Sequence, residues 1–365
     1  MADFSNGLSY VPLHLLKRNS FVSLSHAFPA IEQSFSSCFA RASCQEKLAT
    51  YLPYIIAGAI LLIWPPFMAT YVRTWMIQFL IFSIFGVSLN FLFGYAGLFS
   101  LGHAAFFGLG AYTAGILAVR YGIESFWLLA PSGILLATAA AAIFGIIALR
   151  VSGVYFLFIT LAIGELLASV AIKWVSVTGG TEGVFGIPYP NLGLPFTMNE
   201  ASFYYLVLII FGICMYSLYR IIKSPFGLAL QGIRDNERRV QHLGYNAWLN
   251  KYIAFIIAGL FAGVAGVLYA PFARTVVPSS LGAMTSATAL LMVILGGSRI
   301  FFGPIVGAAV ILFLQYFAGI LTPERWPLIL GGVFVLTVMF LPGGIGTHLV
   351  PLWNKVRYSY GSTKA

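Results

Sequence analysis

Of the ten acidic residues in the chain, one lies in the middle of a long apolar run: Glu165, in ITLAIGELLASV. A carboxylate at that depth in a membrane helix is expensive, about 2.5–3.5 kcal/mol on insertion scales, so such a residue either has a partner or lines a polar path. Lys173 and Arg150 flank it, but neither sits at i,i+4, so the partner is expected on another helix. A second polar group, His103, closes the segment GYAGLFSLGH that also carries Gly97 and Ser100. Imidazole and carboxylate together could relay a proton; a histidine at a helix end is more often a satisfied structural or interfacial residue than a relay. Gly97, Ser100, His103 and Glu165 are therefore the candidates for a translocation pathway.

Other chemistries lack their residues. There is no GxxxxGK[ST] loop to cradle phosphates, no HExxH, and no aspartate cluster for a magnesium diphosphate. Cys38, Cys44 and Cys214 form no CxxC pair and no cluster with histidine, so no disulfide framework and no metal site is expected. No catalytic residue and no directly bound cofactor is expected either. A chain without a catalytic constellation points to a transporter or a channel, not an enzyme.

The elements that must hold these residues are membrane helices. The 365 residues are 60% hydrophobic and 8% charged, with a mean hydropathy of +0.92; soluble domains carry about 25% charge. The net charge of +10 is read as helix-end orientation in a lipid membrane and not as nucleic-acid binding. Apolar segments near 51–69, 72–93, 104–119, 126–148, 154–176, 203–222, 252–272, 284–298, 304–321 and 327–342 predict an all-α polytopic membrane protein with about ten transmembrane helices. If all ten cross with the N-terminus inside, fifteen of the twenty Lys and Arg residues fall on the inner side, as the positive-inside rule requires. Both termini are then cytoplasmic. Residues 1–50, which lack the features of a signal peptide, form an N-terminal tail, residues 51–350 the transmembrane domain and residues 351–365 a C-terminal tail.

Two connections are longer than turns. The outer one, 177–202, contains TGGTEGVFGIPYPNLGLPF and no Lys or Arg; the inner one, 223–251, is the most charged segment. In the inner loop Ser224–Pro225 is a helix start, Asp235 or Asn236 with Glu237 a second start, and Gly244 a left-handed stop. Two short capped helices outside the membrane fit a docking surface for a soluble partner, or a solvated loop that only orients the chain. In AFIIAGLFAGVAGVLYA, residues Ala254, Ala258, Ala262, Gly266 and Ala270 make a stripe of small side chains suited to close helix packing, with pathway lining as the alternative. Gly94, Gly97 and Gly102 share no helical face and disfavour a regular helix. They predict a broken or re-entrant element up to His103, which is tolerated at membrane depth only inside protein or beside water.

GYAGLFSLGHAAFFGLGAYTAG, LRVSGVYFLFITLAIGELL, TGGTEGVFGIP, the run from SPFGLALQGIRDNERR to AGVLYA, LGGSRIFFGPIVGAAV and LPGGIG occur in an order that resembles the branched-chain amino acid permease family of ABC importers. That family also includes urea and amide permeases, and the likeness covers roughly residues 70–346. The resemblance implies a permease subunit of the plasma (inner) membrane that translocates branched-chain amino acids or a related small polar solute. It implies four kinds of company: a second permease subunit, two cytoplasmic ATP-binding subunits that carry the ATP, an extracytoplasmic solute-binding protein, and the lipid membrane. By the same resemblance Arg234, Asn236, Glu237 and Gly244 belong to the ATPase-coupling surface, and Thr178, Gly179, Gly180, Thr181 and Glu182 to the outer loop. Where the usual importer loop has small residues after the acid, this chain has Arg238 and Arg239. The competing classes are a proton-coupled secondary transporter using Glu165 and His103, and a passive channel.

Overall fold

A computed structural model describes residues 70–193, 198–321, 326–340 and 343–345. The expected first span, 51–69, and both expected tails lie outside the described residues. The described residues open with α1 (Thr70–Asn90), which runs on through a π-helical turn, Phe91–Tyr95. It continues with α2 (His103–Arg120), α3 (Phe126–Ala148), α4 (Val154–Lys173) and a single turn, α5 (Val175–Thr178). The strand β1 (Val184–Phe185), α6 (Glu200–Lys223), α7 (Pro225–His242) and α8 (Ala247–Ala273) follow. The last part holds β2 (Thr275–Val276), a 3-10 turn (Pro278–Ser280), α9 (Ala283–Gly296), α10 (Gly303–Leu321) and α11 (Trp326–Phe340).

Among the described residues six helices are long and apolar enough to cross a membrane: α1 with its π turn, α3, α4, α6, α8, and α9 together with the turn before it. The architecture is an all-α polytopic membrane protein with one two-stranded antiparallel ribbon, β1 on β2, in which Val184 faces Val276 and Phe185 faces Thr275.

Small residues set the core. Every member of the stripe Ala254, Ala258, Ala262, Gly266 and Ala270 is buried, so on α8 the stripe packs helices and lines no path. A second stripe on α3, Gly133, Ala137, Ala141 and Gly145, is buried at the same spacing of four. The α3 stripe locks onto α8 through two glycines beside the α8 stripe: a Cβ on Gly263 would lie 2.6 Å from that of Ala137, and one on Gly259 would lie 2.4 Å from that of Ala141. Further along α8, Gly266 lies against the Phe107 carbonyl of α2 with no room for a methyl group. Between lipid-embedded helices such contacts replace the hydrophobic effect as the source of association. Because α8 is gripped by α2 and α3 through backbone, the breaks at the start of α2 and the start of α9 are held on a rigid frame.

Candidate translocation site and coupling surface

The π-helical turn ends α1 at Tyr95, and residues 96–102 then run back along the protein until α2 begins at His103. The depth of that beginning is fixed by side chains. His103 Nε2 is 2.8 Å from Ser88 Oγ of α1, and the Leu101 amide donates to Thr160 Oγ1 of α4 at 3.2 Å. Ser88 and Thr160 both lie about two turns inside the ends of their helices, so α2 starts within the membrane thickness. The glycines make the approach possible: a Cβ on Gly102 would sit 2.0 Å from the Thr160 carbonyl oxygen, and one on Gly94 would sit 1.9 Å from the Ser298 carbonyl oxygen.

A second helix begins at similar depth. The chain comes down from β2 through the Pro278–Ser280 turn and Leu281, which fills the space beside Gly108 of α2, and α9 starts at Ala283. The first amides of a helix have no partner within it, and in hydrocarbon they must find one. The Ala283 amide donates to Glu165 Oε1 at 2.9 Å, and the Ala104 amide of α2 donates to Ser286 Oγ of α9 at 2.9 Å. Glu165 thus has its partner on another helix, and that partner is a backbone amide at the positive end of α9. Gly164 beside it keeps α4 close: a Cβ there would lie 3.5 Å from Gly102 Cα and 3.6 Å from the Leu281 carbonyl oxygen. Two broken helices therefore meet α4 at Thr160, Gly164 and Glu165.

Glu165 and His103 do not meet. His103 is fully buried, its ring stacked on Phe85 at 5.4 Å between centroids. The Ser88 hydroxyl donates to the Phe85 carbonyl at 2.7 Å, so its proton is committed and the assigned role of His103 Nε2 is donor. Ser100 is likewise buried, and Gly97 (φ +72°) adopts the left-handed turn that brings the loop under α7. Glu165 is exposed on the opposite flank. With Ala162, Ser169 and Lys173, all exposed, it forms one helical face of α4, and the partly exposed Thr285 and Thr288 of α9 lie on the neighbouring element. Thr160, Ser286 and Ser88 carry the geometry here without having been singled out in the sequence. The available signal was PSSLG ahead of an apolar run too short to cross by itself.

At one end of the bundle lies the basic segment. Ser224 caps α7 by accepting from the Gly227 amide at 3.4 Å. The helix breaks at Asn236 (φ −160°), whose Oδ1 accepts from the Arg239 amide at 3.1 Å and caps the second half. Gly244 (φ +88°) ends it, and Asn246 caps α8. Arg234 reaches inward: its Nη1 donates to the Gly94 carbonyl and its Nη2 pairs with Asp235 at 2.9 Å, while Gly97 leaves the room that its aliphatic stem occupies. Glu237 pairs with Lys251 of α8 at 2.7 Å. All four coupling candidates therefore have a place in the fold of this segment.

At the other end Thr178 is buried, its hydroxyl shared between the Ala171 and Trp174 carbonyls at 2.5 and 2.8 Å. Gly179, Gly180 and Gly183 take positive φ, and Gly183 packs on the Val276 carbonyl beside the β1–β2 ribbon. Thr181 and Glu182 project to the surface. The outer-loop residues are thus tied by the ribbon to the segment that leads down to Ala283 and Glu165. Among the described residues no group of three or more His, Cys, Asp or Glu side chains comes together.

Residues 71–340 match the family model described as "Branched-chain amino acid transport system / permease component". The chain is 30% identical over 289 residues to the high-affinity branched-chain amino acid transport system permease protein LivM of Escherichia coli, covering 73% of this chain and 68% of that protein. It is 24% identical over 283 residues to the guanosine ABC transporter permease protein NupQ of Bacillus subtilis, covering 69% and 85% respectively. It also matches a probable branched-chain amino acid transport permease protein LivH of Methanocaldococcus jannaschii, 27% identical over 139 residues, covering 37% and 42%. No solved structure matches at a significant level. These relatives are ABC-type permeases, which favours a transport subunit of the inner membrane over a proton-coupled carrier or an enzyme. Matched over nearly its whole described length, the chain belongs to the branched-chain amino acid transport system permease family.

Proposed function

We propose that this chain is one of two related permeases that together enclose a substrate path, and that Glu165, Ser169, Lys173, Thr285 and Thr288 line its half of it. One observation carries the reading: these side chains, exposed on α4 and partly exposed on α9, make a polar face on elements whose other exposed residues, such as Phe158, Leu166, Val170 and Met284, are apolar. Such a face does not rest against lipid, since a mid-membrane charge must meet protein or water. A homologous partner is supported by the likeness to both a LivM and a LivH protein of one organism, Methanocaldococcus jannaschii. The importer has two ATP-binding subunits, which hold the ATP; the 223–251 surface receives one of them, and the 177–202 surface receives a solute-binding protein. The cargo is a branched-chain amino acid, by likeness to LivM, or a related small polar solute; the guanosine permease shows how far relatives range. The full chain has ten spans with both termini cytoplasmic, tails at 1–50 and 351–365 and a membrane domain at 51–350. The clustering of Arg234, Arg238, Arg239 and Lys251 at one end of the bundle supports that orientation.

The test is uptake of labelled leucine into proteoliposomes. Uptake should need ATP, the ATP-binding subunits and the binding protein together, and Glu165→Gln should reduce it at least tenfold. Leucine moved by the chain alone down a proton gradient would overturn the proposal.

A further inference from the structure

Within 223–251 both acids of the second start are already engaged. Asp235 accepts from Arg234 Nε and Nη2 at 3.1 and 2.9 Å, and Glu237 accepts from Lys251 Nζ at 2.7 Å. Two guanidiniums are left over: Arg238 and Arg239 are exposed, and no described carboxylate lies within salt-bridge reach of either. Their direction is set by the helix. In the half after Asn236, Val240 is the residue turned inward, joining Ile233 and Ala247 in a small apolar cluster. At 3.6 residues per turn, Arg238 and His242 both lie about 160° around the helix from Val240, on the face turned away from the membrane bundle. Beyond them Leu243 and Tyr245 are 71% and 50% exposed at the Gly244 tip.

We infer that Arg238 and Arg239, and not Glu237, are the charged contacts by which this segment recognises the ATP-binding subunit, and that the receiving surface is an apolar recess rimmed with carboxylates. The inference rests on the reading of 223–251 as the ATPase-docking surface and specifies its chemistry. A guanidinium fork matches a carboxylate in a bidentate way that a lysine does not, so paired arginines give register as well as attraction. Glu237 becomes a positioning residue: through Lys251 it fastens the second half of α7 to the foot of α8, so a push on the arginines is delivered to the helix that α2 and α3 grip. The outward direction of Arg238 argues for a protein partner over anionic lipid headgroups.

The experiment purifies the tagged chain with its co-expressed ATP-binding subunit in phosphatidylcholine nanodiscs and in phosphatidylglycerol nanodiscs, and measures how much subunit is retained. Arg238→Glu with Arg239→Glu should cut retention at least tenfold in both lipids, and an acid-to-lysine change on the rim of the ATP-binding subunit should restore it. The exchanged pair Glu237→Lys with Lys251→Glu should keep retention near the wild-type level, because it preserves the internal ion pair. Unchanged retention in the arginine double variant overturns the inference. So does a loss confined to phosphatidylglycerol, which would assign the arginines to lipid, or a loss in the exchanged pair that equals the loss in Glu237→Gln. If the unaltered chain retains no ATP-binding subunit, the docking reading itself fails and this inference goes with it.

Discussion

Gly102 and Gly164 face each other across the meeting of α2 and α4, yet they are not equivalent. A methyl group on Gly102 would lie 2.0 Å from backbone oxygen, which cannot move aside, whereas on Gly164 its closest neighbour would be at 3.5 Å, an ordinary contact. Overpacking of this kind costs about 1–3 kcal/mol or more. Gly102→Ala should therefore lower the thermal unfolding midpoint of the detergent-purified protein clearly, while Gly164→Ala leaves it almost unchanged; equal shifts would mean that the loop 96–102 is not seated on Thr160. The sequence identified Gly94, Gly97 and Gly102 as breakers because no helical face collects them, and it required a partner for Glu165 because a lone carboxylate at that depth is too expensive. That the partner is the amide of Ala283 was not legible. Every residue but proline has such an amide, so no residue type marks the one that answers. His103 shows the converse: its type suggested chemistry, and the fold buries it against Phe85 and Ser88.

Among the elements, the segment 223–251 was the most legible, because caps act within three or four residues and need nothing distant. Ser224 with Pro225, Asn236, and Gly244 are all seen at helix ends in the structure. The break at Asn236 sets the angle between the halves of α7, and its Oδ1 satisfies one otherwise free amide of the second half. Asn236→Ala should remove about 1 kcal/mol from that short helix, while Asn236→Asp keeps the acceptor. Hydrogen exchange of amides 237–242 is the measurement: protection should fall severalfold in the alanine variant and stay in the aspartate variant. Equal protection in both would show that Glu237–Lys251 and the Val240 contact hold the helix without the cap. The elements least legible were α2 and α9. Hydropathy finds apolar runs but not where a helix starts within them, so 104–119 and 284–298 stood out as apolar while the bonds that Ser286 and Glu165 supply to their first amides did not.

For the whole molecule the open question is which outer faces meet lipid and which meet water or a second permease, since large apolar and polar surfaces are both exposed on the isolated chain. Leu135 on α3 is 73% exposed, with Pro131 and Ala139 exposed one turn to either side and no charged residue on the helix, as expected of a lipid contact. Ser169 on α4 is also exposed, but one turn from Glu165 and one from Lys173. If the polar face lines a hydrated path, a cysteine at 169 has water beside it and one at 135 does not, although both are open in the isolated subunit. In a background with Cys38, Cys44 and Cys214 replaced, Ser169→Cys should react with a membrane-impermeant, water-soluble maleimide in intact membranes, and Leu135→Cys should not. Leucine present with the binding protein and ATP should slow labelling at 169, because a path in use is partly occupied or closed by turns. Equal silence at the two positions would place α4 against lipid or in a dry interface, and the path would then have to be sought on the far side of α1 and α2, where the buried Ser83, Ser88, Ser100 and His103 lie.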